Sequence, residues 1–173
     1  MSNFGNNFGN NDLAAEFLAL RAANDQLRER GRQWLWETLN RLSAEINREL
    51  AQQGNAAPLQ LGRQDWEFKV ETATMVGERI GLRHQYRTLL FEIGWPREPQ
   101  HGFISDGGLA RARVSFSQNT MIEAQPIAEL ILKKQNSGEP VWLLIANKKL
   151  GDLITESRLR AFLNLVLADQ PNG

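Results

Sequence analysis

Apolar residues in the first third of the chain recur with the period of an α-helix. From Asp12, a good N-cap residue, they return every three or four positions as far as about Gln53. The phase of this pattern shifts near Gly31, and a glycine weakens a helix by about 1 kcal/mol relative to alanine. We therefore predict a helical arm over residues 12–54, either as one kinked helix or as two helices joined near Gly31.

Between residues 65 and 117 the apolar period changes to two, which is typical of half-buried strands. A hairpin centred near Met75 would place Phe68 opposite Leu82 on the buried face. Residues 85–88 contain no glycine or proline. We therefore predict a bulge there, within one long strand, rather than a tight turn.

The last third of the chain predicts a helix, a strand and a second helix. Pro126 suits a first helical turn, and an apolar stripe follows at Ile127, Leu130 and Ile131. Residues 141–146 form an unbroken apolar run, as in a buried strand, and 155–168 are again helical. The expected fold class is α+β, with a long N-terminal helix, an antiparallel sheet of about three to five strands and a helix-strand-helix segment packed on it. The α+β domain would span residues 59–168.

The start of the chain and its composition limit the functions that can be considered. Residues 1–11 are rich in Asn, Gly and Phe and predict a flexible tail, because such a composition cannot build a core. The chain has 173 residues, no cysteine, and 20 basic against 20 acidic residues. Zero net charge argues against a dedicated nucleic-acid binder, and the lack of cysteine excludes disulfides and thiolate sites.

The compartment can also be addressed from the sequence. No apolar run reaches the ~20 residues that a membrane span requires, and the N-terminus lacks the features of a secretory signal. We expect a cytoplasmic protein that has no membrane partner and holds no cofactor or metal.

The helical arm carries more apolar surface than a small sheet needs for its cover. Asn24 falls between Leu20 and Leu27 in the stripe, where a polar residue sets the register of helix dimers. The candidate interaction residues are Phe17, Leu20, Asn24, Leu27, Trp34 and Trp36. They favour a non-catalytic interaction or assembly module that pairs with itself or with another protein. The alternative is that the arm folds back over its own sheet.

The sharpest pattern for chemistry is Asp65, Glu67 and Lys69, which would share one face of a strand. A Glu-x-Lys pair can hold a divalent cation and position a water, as in metal-dependent nucleases. The predicted element order is similar to that of restriction-endonuclease-like folds, which is an analogy of fold alone. The competing interpretation is a solvated face held by ion pairs between strands.

Two further groups complete the candidates. His101 lies in a proline-flanked loop near carboxylates, where it could act as a base or a ligand, whereas His84 is predicted to be buried. Arg87, Arg111 and Arg113 are predicted on one outer sheet face and could bind an anion. The alternative function is therefore a nucleic-acid-binding or metal-dependent nuclease-like protein.

Overall fold

The computed structural model describes residues 8–55, 57–70, 73–98 and 104–168. A long helix, α1 (Phe8–Gln52), comes first, and a second helix, α2 (Glu156–Leu167), comes last. Between them lie seven strands, which are β1 (Gln60–Val70), β2 (Ala73–His84), β3 (Arg87–Pro96), β4 (Ala110–Ser117), β5 (Gln125–Lys134), β6 (Pro140–Ala146) and β7 (Lys149–Leu153).

The strands form one antiparallel sheet in which spatial order equals sequence order, β1 to β7. Each strand therefore pairs with the strand that precedes it along the chain. The α+β class predicted from the sequence is confirmed. The sheet is larger than predicted, because it has seven strands instead of three to five.

Both helices pack on the same face of the sheet, which we call the inner face. The apolar residues that alternate along the central strands point to it, and the helices bury them. The core on this face includes Ile80, Leu82, Leu89, Phe91, Ile93, Val114, Leu130, Leu132 and Trp142. On the opposite, outer face, charged residues alternate with these inward positions, such as Arg111 and Arg113 on β4.

The predicted helix at Pro126 is wrong, since these residues form β5. Leu130, Ile131 and Leu132 are all fully buried, although successive strand residues point to opposite faces. Ile131 is covered on the outer face by the segment before β4, where a Cβ on Gly108 would lie 2.7 Å from its Cδ1. Burial on both faces removed the alternation by which a strand is recognised.

The predicted hairpin register and the predicted bulge are also wrong. Phe68 pairs with Met75 instead of Leu82, so the whole pairing of β1 with β2 is shifted from the predicted register. The new register turns Trp66 to the outer face, where Arg79 lies 3.4 Å from its ring centre. A two-residue turn separates β2 from β3, because Gln85 adopts a φ of 53° without being glycine.

The helix α1 is continuous through Gly31, so it is one helix and not two separate helices. A Cβ at Gly31 would lie 2.5 Å from Cδ1 of Leu132, which is itself fully buried. The glycine therefore permits a close approach of helix and sheet. The helix also begins at Phe8, before the predicted cap at Asp12, and residues 1–7 of the predicted tail lie outside the described residues.

Candidate interaction surface

The sheet leaves the first part of α1 largely uncovered. Side chains from Asp12 to Gln26 are exposed, apart from Asn24, which is half-buried. Burial begins at Leu27, which is 8% exposed. At 1.5 Å per residue, residues 12–26 amount to roughly 22 Å of helix. We call them the projecting segment.

Three large apolar side chains form an exposed stripe on the projecting segment. Leu13, Phe17 and Leu20 are 66%, 51% and 61% exposed. Successive residues turn about 100° around a helix, so this spacing keeps the three within about 60° of one another. The same face continues to Leu27 and Gly31, which pack on the domain core. The stripe is therefore the part of the sheet-facing side of α1 that no sheet covers.

Charged side chains flank the stripe on both sides. Glu16 lies on one flank and Arg21 on the other, by helical geometry. Among the described residues neither of them forms an ion pair. Leu18 is also 61% exposed but points about 140° away from Leu13, so it does not belong to the stripe.

Hydrogen bonds hold α1 to the sheet immediately after the projecting segment. The indole Nε1 of Trp142 donates to the carbonyl of Gly31 at 3.0 Å in a buried position. Arg28 Nε donates to the carbonyl of Leu109 at 2.6 Å. These contacts, together with the close packing at Gly31, fix the direction in which the projecting segment leaves the domain.

A buried carboxylate adds to this attachment. Glu78, on the inner face of β2, is 1% exposed. Its Oε2 accepts a hydrogen bond from Arg32 Nη2 at 3.1 Å and another from Arg63 Nε on β1. Arg32 lies 5.1 Å from the ring centre of Trp95, and Arg63 lies close to Trp36. The cluster therefore ties α1 to two strands at once.

The negative charges around Arg32 stabilise its positive charge. Burial lowers the pKa of Arg32, but the hydrogen bond and charge of Glu78, with the charges of Glu29 and Asp65, outweigh that effect. The pKa of Arg32 is consequently raised above its ordinary value, and the side chain stays positive at neutral pH. Among the described residues, Glu78 Oε1 and Arg32 Nε are buried side-chain atoms without a hydrogen-bond partner.

The other interaction residues expected from the sequence lie in several places. Leu27 belongs to the domain core, and Trp36 packs against it. Trp34 remains 40% exposed. The structure thus brings Phe17, Leu20 and Asn24 together on one exposed face, and Leu13 lies on the same face.

The three candidate anion-binding arginines are not brought together. Arg87 pairs with His84, whereas Arg111 pairs with Gly94 seven residues further along β3, roughly 23 Å away. Arg113 is opposite Glu92 on one neighbouring strand and Glu129 on the other. Their positions therefore form no single basic patch.

The candidate metal and catalytic residues are not assembled either, so far as the described residues show. Asp65 pairs with Glu78 on the neighbouring strand, and Glu67 forms an ion pair with Arg97 at 2.6 Å. The side chain of Lys69 and all of His101 lie outside the described residues. Within the described part of the chain, no three His, Cys, Asp or Glu side chains could hold a metal ion. The observed element order also differs from the one that suggested nuclease-like folds.

A groove of about 490 Å³ opens on the outer face near the turn between β6 and β7. Arg111, Lys148 and Lys149 line it, together with the acidic residues Asp106 and Glu129. This mixture of charges leaves the groove only weakly basic.

Comparison with known proteins finds no relative of this chain. No family model, characterised protein or solved structure matches the chain. In the part of the chain that is described, no helix is both long and apolar enough to cross a membrane. The geometry of α1 is therefore the main basis for a functional proposal.

Proposed function

We propose that the chain is a non-catalytic assembly module in which the projecting segment of α1 pairs with the same segment of a second copy. The observation that carries this proposal is the exposed stripe of Leu13, Phe17 and Leu20 on a helix that is firmly held by its own domain. Exposed apolar surface of this kind marks interaction sites.

The attachment of α1 makes such pairing less costly. A segment that must fold on binding loses conformational entropy, whereas a helix already fixed in direction loses little. The hydrogen bonds of Arg28 and of Gly31 therefore prepare the stripe for a partner.

The size of the stripe indicates a weak dimer. Full burial of a Leu or Phe side chain contributes about 1.5–3 kcal/mol, so covering the exposed part of each contributes about 1–2 kcal/mol. Six side chains, three from each copy, then give about 6–12 kcal/mol, to be set against an association cost of about 4–15 kcal/mol. The two sums overlap, so we expect at most a weak dimer, which forms only at high protein concentration.

Sedimentation velocity of the wild type and two variants tests this proposal. Phe17→Arg places a charge in the stripe, and Leu18→Arg introduces the same side chain at an exposed residue outside it. Wild type and Leu18→Arg should shift from monomer to dimer as concentration rises, while Phe17→Arg should remain monomeric with unchanged thermal unfolding. A wild type that stays monomeric at millimolar concentration, or equal dimerisation of all three proteins, would exclude the proposal.

The groove beside Arg111 supports a second candidate, which is the binding of nucleic acid on the outer face. Arg111, Lys148 and Lys149 could contact phosphates, whereas Asp106 and Glu129 oppose them, so we rank it lower. Fluorescence anisotropy with a labelled single-stranded RNA at low salt is the test. Binding should fall with salt and with Arg111→Glu but not with Arg158→Glu on α2, and no binding at low salt would end this candidate.

A further inference from the structure

We infer that two copies pair through their projecting segments in an antiparallel arrangement, with Phe17 opposite Leu20 of the partner subunit. This inference rests on the assembly function proposed above. It follows from the position of the sheet relative to the stripe.

The sheet excludes a parallel pair. Gly31 and Leu35 lie on the same side of α1 as the stripe, by helical geometry, and both pack against the domain. A parallel partner helix that covers Leu13 and Phe17 would continue along that side and enter the space of the sheet. An antiparallel partner helix runs towards the free end of α1 instead, so only its first turn, residues 8–11, comes opposite residues 26–29, where cover by the sheet begins.

The extent of the free stripe sets the register. With Phe17 opposite Leu20 of the partner subunit, Leu13 lies opposite Asn24 of the partner subunit, and the symmetry repeats both contacts. Four layers then form before Leu27, where burial by the sheet begins. A shift by one heptad would place Phe17 on the partner's Leu27, which is already covered by its own core.

The charges on the flanks favour the other orientation, but only slightly. A parallel pair would bring Glu16 near Arg21 of the partner subunit. The antiparallel pair instead places Glu16 beside the partner's Ala23 and Arg21 beside the partner's Ala14. Exposed ion pairs contribute little, so they cannot offset a steric overlap with the sheet. The antiparallel register also brings no like charges together.

Engineered disulfides distinguish the orientations, and the natural chain has no cysteine to interfere. We compare Leu13→Cys, Asn24→Cys and the double variant under mild oxidation, with non-reducing electrophoresis as the measurement. A disulfide requires Cα atoms about 4.4–6.8 Å apart. In the antiparallel pair position 13 faces position 24, while the two copies of position 13 lie roughly 16 Å apart along the axis.

The double variant should therefore become largely covalent dimer, while each single variant stays at the background of a Leu18→Cys control. Efficient linkage of either single variant would show a parallel pair and overturn the inference. Absence of linkage in all variants, when the wild type still dimerises through Phe17, would also overturn it and leave the assembly function standing. Failure of the assembly function itself appears separately, as a monomeric wild type in sedimentation.

Discussion

The buried carboxylate of Glu78 gives the most quantitative prediction about how α1 is held. Glu78→Gln keeps the shape of the side chain but removes the charge between Arg32 and Arg63. Breaking a buried ion pair costs about 3–5 kcal/mol when the remaining charge is fully buried. The side chains of Arg32 and Arg63 are 17% and 25% exposed, so water relieves part of the repulsion. We therefore expect a loss of about 2–4 kcal/mol in the free energy of unfolding.

Urea unfolding followed by tryptophan fluorescence measures this loss. The matched control is Glu67→Gln, because the Glu67–Arg97 pair is about half exposed on both sides and should contribute less than about 1 kcal/mol. Both variants are compared at low protein concentration, since dimerisation would add apparent stability. Equal midpoints for Glu78→Gln and the wild type would refute the role that we assign to the cluster.

Two other substitutions test the packing of the sheet and the attachment of α1. Gly77→Ala should cost on the order of 3 kcal/mol or more, because its Cβ would lie 1.9 Å from the backbone oxygen of Ile93. At Gly62 no described residue other than its chain neighbours has an atom within 4 Å of the new Cβ, so Gly62→Ala should change thermal stability little, and equal effects at both glycines would contradict this packing. Asn47→Ala removes hydrogen bonds of 3.0 Å and 2.7 Å to the backbone of Leu59 and should cost about 1–3 kcal/mol in urea unfolding, whereas an unchanged midpoint would show that these bonds are dispensable.

The elements with one buried face could be predicted from the sequence. The inward positions Ala110, Ala112 and Val114 alternate with exposed arginines, and β4 lies where this pattern indicated. The sequence predicts the last helix over residues 155–168, and in the structure it spans Glu156–Leu167, with the side chain of Thr155 as its N-cap. In both elements the apolar residues recur with one regular period, because only one face of the element is buried.

The errors arose where local signals were misleading. The buried run around Ile131 hid the alternation of β5, and the turn at Gln85 formed without the glycine that such turns usually contain. By its helix propensity Gly31 indicates a weak point in the helix, although its role depends on Leu132, which is distant in sequence. Contacts across the chain cannot be inferred from the propensity of one residue.

The candidate surface was partly visible in the sequence. The spacing of Phe17 and Leu20 indicated a stripe, but only the structure shows where its own sheet stops covering it. The ion cluster left a subtler signal, because Glu78 shares the strand parity of the buried Ile80 and Leu82. A charged residue in such a position indicates a buried ionic contact, whose partners the sequence alone does not identify.

Hydrogen–deuterium exchange at two protein concentrations tests the central claim most directly, because it locates the surface that becomes covered. We expect backbone amides of residues 13–24 to exchange more slowly at high than at low concentration, while those of residues 35–46, already packed on the domain, remain unchanged. The difference should disappear in Phe17→Arg. Equal exchange of residues 13–24 at both concentrations, in a wild type that forms dimers, would show that the projecting segment is not the interface.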